Sequence, residues 1–240
     1  MNDILGLDHI YVINVRSYEA RRRHVTEQLA RFQLQGEFIH SWDAEDITDE
    51  ISERYFTGAD LSSGQKSCAM KHIDALEKIV DRNEKAALVV EDDIVLRDDF
   101  CEGVRAALAE RSRYPSAHVI FIGSGGNFYT PRSQRSPGRR LYPATRGRFG
   151  DSYILGSDTA RLRLDWIKSR RMSRPIDNEF QAIDLSLGIQ MLWLEEPVVE
   201  QGSKNGMFPS MLEPAPPLPL QKLKFGWEKF RRKYLYQLWR

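Results

Sequence analysis

The sequence has little of what marks an exported or membrane-embedded protein. Only two of its 240 residues are cysteines, Cys68 and Cys101, too few and too far apart to suggest a disulfide framework or a zinc site. No apolar run approaches the roughly 20 residues that span a bilayer, and the N-terminus lacks the basic-then-apolar pattern of a secretory signal. We therefore expect a cytoplasmic protein in a reducing environment.

Net charge is also nearly absent. The chain has 35 Lys and Arg residues against 34 Asp and Glu residues, a formal net charge of +1. A balance this even argues against a polyanion-binding protein, so we expect no nucleic-acid partner. The 41% hydrophobic content suffices for one substantial core, and no internal repeat is present.

Short apolar runs alternate with helix-favouring stretches, which predicts an α/β fold of layered strands and helices. A β-branched and aromatic run at 9–15 is followed by a helical stretch at 19–31. A second helical pattern, through Cys68 and Val80, leads into another strand. The predicted strands after the first cover residues 86–90, 119–122 and 152–155.

Residues 130–150 form a long stretch between two predicted strands, with six arginines and no acidic residue. Its length predicts a mobile functional loop or lid. Guanidinium groups bind phosphates and carboxylates bidentately, so these arginines could close over a phosphate or meet an anionic acceptor; a solvated loop is the alternative. The six are Arg132, Arg135, Arg139, Arg140, Arg146 and Arg148.

The proline-rich segment 214–219 cannot continue a helix or a central strand, so we place a linker there, after a domain at 1–213. Residues 220–240 carry seven basic residues against one acid, a balance of 7 − 1 = +6. Apolar residues at helical spacing predict a basic amphipathic helix that attaches reversibly to the anionic inner-membrane surface. The alternative is a helix packed on its own domain or on a partner subunit.

Three acids, Glu91, Asp92 and Asp93, follow the predicted strand at 86–90 directly. Ligands of α/β sheets gather beyond the carboxyl ends of strands, and carboxylates there can hold a divalent cation that bridges a diphosphate. Strand alternation places Glu91 and Asp93 on one side and Asp92 on the other. We therefore assign the metal to Asp93 and Glu91, and Asp92 to ribose or backbone donors. A solvated turn with capping acids is the alternative.

His72 lies one helical turn after Cys68. A lone histidine on a helical face either contacts a substrate or is satisfied within the fold. Nothing nearby in sequence supplies a third group for a catalytic Cys-His pair, so Cys68 is interpreted as a packing residue.

Four segments, in this order, resemble glycosyltransferase family 25, the lipopolysaccharide-type enzymes related to collagen galactosyltransferases. The most discriminating is 87–96 (ALVVEDDIVL), and 61–72 (LSSGQKSCAMKH) is the second match in chain order. Gln65, Ser67 and Lys71 depart from that second pattern, where the family usually has Glu, Gly and Ser, and the acidic motif is intact. The other matching segments are 12–15 with 21–22, and 152–155 with 160, 175–177 and 197–201.

The resemblance implies a single GT-A-like, Rossmann-like domain with a mixed, mostly parallel sheet. It also implies an inverting, metal-dependent hexosyltransferase that moves galactose from UDP-galactose, with Mn²⁺ or Mg²⁺ on the diphosphate. The acceptor would be a glycan or glycolipid of bacterial lipopolysaccharide, lipooligosaccharide or another surface glycan.

The matched segments also carry the expected site residues. Asp177 is the preferred general base and Asp151 the second, although both could be ordinary capping residues. The residues expected to approach the donor are Asn14, Arg21, Arg22, Glu91, Asp92 and His72.

Two other functions are also compatible with the sequence. A non-catalytic glycan- or nucleotide-binding protein of the same fold would bind UDP without turnover. A metal-dependent phosphodiesterase would need further carboxylate or histidine ligands for paired metals, and no histidine follows His118.

Overall fold

The computed structural model describes residues 5–58, 60–203, 226, 227 and 230–235. Within them the fold is α/β, as predicted. The strands are β1 His9–Ile13, β2 Glu37–Ile39, β3 Ala87–Glu91, β4 Ile94–Leu96, β5 His118–Phe121, β6 Leu141–Ala144, β7 Ser152–Leu155, β8 Gln190–Leu194 and β9 Val199–Gln201. The α-helices are α1 Glu19–Ala30, α2 Asp49–Tyr55, α3 Ser63–Asp81, α4 Phe100–Glu110, α5 Ser157–Arg170 and α6 Ile176–Leu187.

A mixed seven-stranded sheet forms the centre, in the order β2-β1-β3-β7-β5-β8-β6. Strands β7 and β6 run antiparallel to their neighbours, and the other five share one direction. The carboxyl ends of β1, β3 and β5 therefore meet at one edge of the sheet. The residues that precede β7 lie at the same edge because β7 runs the opposite way.

Strand alternation divides the core into two layers. On β3, Ala87 and Val89 pack toward α3, α5 and α6, while Leu88 and Val90 pack toward α1 and α4. All four side chains are fully buried. Each large aliphatic side chain buried in this way contributes roughly 1.5–3 kcal/mol to folding. Packing of helices on both faces therefore stabilises the central strands.

Residues 130–150 differ from the predicted lid. Leu141–Ala144 forms β6, which pairs with β8 at the end of the sheet, and Leu141 and Tyr142 are buried. The sequence did not predict this strand of four residues, because the stretch contains three prolines and six arginines. The strand is stabilised by pairing with β8, almost 50 residues later in the chain.

The predicted linker 214–219 lies outside the described residues, as does most of the predicted tail. Of the tail, Arg231–Leu235 forms a short π-helical turn, and Lys233 Nζ lies 2.7 Å from Glu196 Oε2. Trp227 and Phe230 are exposed and stack at 6.1 Å. No described helix combines the length and hydropathy that a membrane span requires.

Candidate active site

The three acids after β3 lie where the strand leaves the sheet. Glu91 is the last residue of β3, and Asp92 and Asp93 form the turn into β4. Strand β4 pairs with β9, and Gly202 and Ser203 after β9 donate backbone hydrogen bonds to Asp93, at 2.6 Å to its carbonyl and 3.1 Å to Oδ2. These contacts fix the turn against the sheet edge.

Asp92 points to the β1 side of this edge. The parallel register places Ile13 opposite Glu91, so Asn14 follows β1 beside Asp92. Asn14 donates a 2.7 Å hydrogen bond to Asp92 Oδ2, and Arg21 of α1 approaches Oδ1 at 3.0 Å. Burial raises the pKa of Asp92, and Arg21 and Asn14 partly offset that rise. The structure thus brings together three of the residues expected at the donor.

Glu91, Asp93 and Asp151 lie on the other side of the same edge. Asp93 Oδ1 and Asp151 Oδ2 are buried, and neither has a hydrogen-bond partner among the described residues. Burial raises the pKa of Glu91 well above its usual range, and the charges of Asp93, Asp177 and Asp151 raise it further. Burial and the charges of Asp177 and Asp93 likewise raise the pKa of Asp151 to about 8.

Buried carboxylate oxygens without donors fit a divalent cation, which supplies the missing charge. Glu91 and Asp93 do not form a complete cage of protein ligands. Mg²⁺ is commonly held by one or two carboxylates together with substrate phosphates, so an incomplete cage suits a cation that arrives with a diphosphate.

Asp177 lies in the first turn of α6 and faces this edge across Gly150. A Cβ atom placed on Gly150 would lie 2.6 Å from Asp177 Oδ1 and 3.6 Å from His72 Nε2. A larger residue would therefore displace the Asp177 carboxylate, whereas its contact with His72 would be of ordinary length. A Cβ on Gly123 would likewise collide with Asp151 Oδ1, so the glycines after β5 and before β7 make space for the acids.

His72 of α3 is fully buried behind Glu91. Its Nδ1 lies 2.9 Å from the Tyr153 hydroxyl, and its Nε2 lies 4.0 Å from Glu91 Oε1, too far for a hydrogen bond. Burial, and then the charge of Arg163, lower the pKa of His72 to about 3, so the imidazole is neutral. Each of the two roles considered for His72, a substrate contact and a side chain satisfied within the fold, agrees with one of its nitrogens. Nδ1 is satisfied within the fold, and Nε2 faces the acids.

A cavity of about 210 Å³ opens beside Asp177. Phenylalanine rings form much of its wall, and Arg146 lies at its edge with the guanidinium 4.7 Å from the Phe128 ring centroid. Aromatic walls with a few polar groups are typical of small-molecule sites. The aromatic lining consists of Phe121, Phe128, Phe149, Tyr153 and Phe180.

Two of the three departures from the family pattern, Gln65 and Lys71, have structural partners. Gln65 completes a capping box with Ser62 at the start of α3, through hydrogen bonds of 3.0 and 3.3 Å. Lys71 is buried, with Nζ 2.7 Å from Asp43 Oδ1 and 2.6 Å from the carbonyl of Ser41. Neither side chain points toward the acidic edge.

The other arginines singled out from the sequence lie elsewhere. Arg22 contacts Glu19 and the carbonyl of Arg16 on the outside of α1. Arg135 pairs with Glu195 at 3.1 Å, and Arg148 is fully buried with Nη1 2.8 Å from the carbonyl of Leu194. Burial lowers the pKa of Arg148 to about 9. The expected set of phosphate-binding loop arginines is therefore dispersed.

Comparison with known proteins finds a matching family model and several relatives. The family model for glycosyltransferase family 25 (LPS biosynthesis protein) matches residues 7–127, about half of the chain. A Haemophilus influenzae protein named "Putative glycosyltransferase" is 25% identical over 200 residues, covering 75% of this chain and 69% of that protein.

A "Glycosyltransferase 25 family member" from Aedes aegypti is 28% identical over 132 residues, or 50% of this chain and 22% of that protein. The chain thus spans about a fifth of that longer relative. Among solved structures, mouse xyloside xylosyltransferase 1 aligns at a TM-score of 0.46 and 11% identity, over 87% of this chain and 99% of that chain. The family model covers both the capping segment of α3 and the acids after β3, and the chain belongs to glycosyltransferase family 25.

Proposed function

We propose that this glycosyltransferase moves a hexose, galactose from UDP-galactose, with inversion onto a bacterial lipopolysaccharide, lipooligosaccharide or other surface glycan. The observation that carries the proposal is the acidic edge after β3, where Asp93 and Asp151 each keep a buried oxygen that accepts no hydrogen bond from the part of the chain that the structure describes. On the β1 side of the same edge, Asn14 and Arg21 bind Asp92, and together they form a polar group suited to a nucleotide.

In this proposal Asp93 and Glu91 would hold Mn²⁺ or Mg²⁺. The cation supplies charge neutralisation for the diphosphate as it departs. Arg21 and Asn14 keep Asp92 oriented beside the carboxyl end of β1, where a ribose would bind. A bound cation would favour the charged form of the buried Asp151, whose pKa is otherwise raised to about 8 by burial.

The acceptor would enter the aromatic cavity beside Asp177. Its hydroxyl oxygen forms the new bond to the anomeric carbon, the bond from that carbon to the diphosphate oxygen breaks, and the hydroxyl proton passes to the Asp177 carboxylate. Phe128 and Phe180 line the cavity and offer apolar surface for a sugar, and Arg146, which also lines it, offers hydrogen-bond donors. Asp177 thus lies between the acceptor cavity and the acidic edge.

The tail would hold the enzyme reversibly at the cytoplasmic face of the inner membrane. Trp227, Phe230 and Tyr234 are 59%, 47% and 44% exposed, and such rings suit a headgroup boundary. Deleting residues after Pro219 should abolish binding to anionic vesicles at low salt. Unchanged binding, or unfolding of the truncated domain, would contradict this role.

A screen of nucleotide sugars with and without Mn²⁺, which detects nucleotide release in the presence of glycan acceptors, tests the proposal. We expect UDP release that requires metal and acceptor and is fastest with UDP-galactose. Metal-dependent UDP binding without turnover for any donor would instead favour a non-catalytic binding protein.

A further inference from the structure

A second group of potential ligands lies on the α3 side of Glu91. Cys68 and His72 are four residues apart on α3 and project from one face toward the end of β3. The cysteine sulfur, a histidine nitrogen and a Glu91 oxygen all lie within 4.8 Å of one another. Among the described residues, this is the only trio of His, Cys, Asp or Glu side chains that meets this distance.

We propose that Cys68, His72 and Glu91 bind a thiophilic divalent ion of the zinc class, and that this ion inhibits sugar transfer by engaging Glu91. Only the inhibition rests on the proposed function. A sulfur, a nitrogen and an oxygen ligand suit Zn²⁺, whereas Mn²⁺ and Mg²⁺ prefer oxygen ligands alone. Three protein ligands would leave a fourth position for water.

The orientation of His72 supports the site independently of the clustering. The side chain is 0% exposed, and its Nε2 faces Glu91 with no hydrogen-bond partner within residues 5–58 and 60–203 or the described part of the tail. The opposite ring nitrogen, Nδ1, lies 2.9 Å from the Tyr153 hydroxyl. A histidine that binds a metal usually uses its second nitrogen in this way, because the second contact fixes the ring orientation.

Glu91 would connect this site with the site of the donor metal. Its Oε1 is the oxygen nearer to His72, and its Oε2 accepts a 3.3 Å hydrogen bond from Gln201, which lies on β9. When zinc binds, the Cys68 thiol loses its proton to the buffer and a sulfur–zinc bond forms. Glu91 is then drawn toward α3, away from Asp93, and the carboxylate pair proposed for Mn²⁺ or Mg²⁺ is broken.

Cobalt titration of the full chain tests binding without any need for activity, because a Co²⁺–thiolate bond has its own near-ultraviolet absorption. We expect one equivalent of Co²⁺ to give that band, and excess Zn²⁺ to remove it while excess Mg²⁺ does not. Cys68→Ser should lose the band and weaken Zn²⁺ binding roughly tenfold or more. Cys101→Ser, at the other cysteine, should retain both.

Absence of the band in the wild-type protein, or its loss in Cys101→Ser with Cys68→Ser unaffected, would overturn the site. Cys68→Ser is a conservative change, and circular dichroism verifies that the variant is folded. In the transfer assay, Zn²⁺ should inhibit the wild type and Cys101→Ser but not Cys68→Ser, each relative to its own zinc-free rate. A band without inhibition in an active enzyme would overturn the coupling through Glu91. If no transfer is found at all, the cobalt result still decides the metal site.

Discussion

Two buried charged clusters near α3 show opposite arrangements. Asp43 and Lys71 are each 1% exposed, and their charges are 2.7 Å apart, with Arg16 bound to the other Asp43 oxygen at 2.8 Å. Asp93 and Asp151 are 3% and 0% exposed, yet each keeps a carboxylate oxygen to which no described residue donates a hydrogen bond. In the first cluster a cation lies beside each carboxylate oxygen, whereas in the second no described cation lies within ion-pair distance of Asp93 or Asp151.

This difference indicates that the Asp43–Lys71 cluster stabilises the fold, whereas the cluster of Asp93 and Asp151 serves function. A buried charge costs several kcal/mol unless a partner compensates it, so an uncompensated acidic cluster persists where a ligand completes it. The Asp43–Lys71 pair has its partner and fixes the segment after β2 onto α3. Substitutions in the two clusters should therefore give opposite phenotypes, one in activity and one in folding.

The two largest effects on turnover should come from the acidic edge and the proposed base, and Asp93→Ala is the first of them. Loss of a proposed metal ligand removes several kcal/mol of charge stabilisation, which corresponds to a rate reduction of roughly a hundredfold or more. The free energy of unfolding should change little, because loss of the Ser203 hydrogen bond to Asp93 Oδ2 offsets the removal of an uncompensated buried oxygen. Transfer rates and urea unfolding curves check both parts. Asp98→Ala, at a side chain that is 98% exposed, is the matched control. Near-normal turnover would remove Asp93 from the site.

Asp177→Asn should lower turnover by about 10²–10⁴-fold while UDP binding is retained, because the amide keeps the shape but cannot accept the proton. Asp158→Asn provides the comparison, since Asp158 is an exposed acid in the first turn of α5. Single-turnover rates and UDP titration measure the two quantities. Unchanged turnover in Asp177→Asn would transfer the proposed role to another group, and Asp151→Asn would be measured next.

Lys71→Met should destabilise the fold by about 3 kcal/mol, because it leaves the buried Asp43 with Arg16 as its remaining cation. Residual turnover per folded molecule should stay close to that of the wild type. The double variant with Asp43→Asn should recover much of the lost stability in urea unfolding. If Lys71→Met is as stable as the wild type and alters donor preference instead, the comparison between the clusters is wrong.

The Asp43–Lys71 pair also predicts a smaller effect, on the pH dependence of stability. Burial raises the pKa of Asp43, but hydrogen bonds from Lys71 and Arg16 outweigh it and hold the pKa below its ordinary value. The stabilisation is thus complete above the unfolded-state pKa of about 4 and is lost as the pH falls through the folded-state value. The stability difference between wild type and Asp43→Asn should shrink between about pH 5 and about pH 3. A constant difference would contradict the pairing.

The smallest effect should come from Gln65. Gln65→Ala removes half of the capping box and should cost about 1 kcal/mol. Gln65→Glu, which restores the usual family residue, should preserve both the cap and the donor preference. A changed ranking of nucleotide sugars in Gln65→Glu would show that this position acts on the donor.

Much of the fold could be predicted because strong local signals marked it. The strand at 152–155 was predicted at its observed bounds, and the observed α1 ends one residue before the predicted end. Strands β2, β6 and β9 gave no comparable signal. They have three or four residues each, and they are stabilised by pairing with strands distant in sequence rather than by a periodic pattern.

The site was predictable where neighbours in sequence are also neighbours in space. Alternation separated Asp92 from Glu91 and Asp93, and the structure places Asp92 toward Asn14 and Arg21. The third group beside Cys68 and His72 was missed, because Glu91 lies on another element and only the packing of α3 on β3 brings it near. Sequence spacing along one helix could not reveal that contact.

The central claim is that the acidic edge after β3 binds a divalent cation together with the donor diphosphate. Isothermal titration with UDP, in Mn²⁺ and then in EDTA, tests it on the wild type and Asp93→Ala. We predict that Mn²⁺ tightens UDP binding by roughly tenfold or more in the wild type, a gain of about 1.4 kcal/mol, and not in Asp93→Ala. Equal UDP affinity with and without Mn²⁺ in the wild type would contradict it.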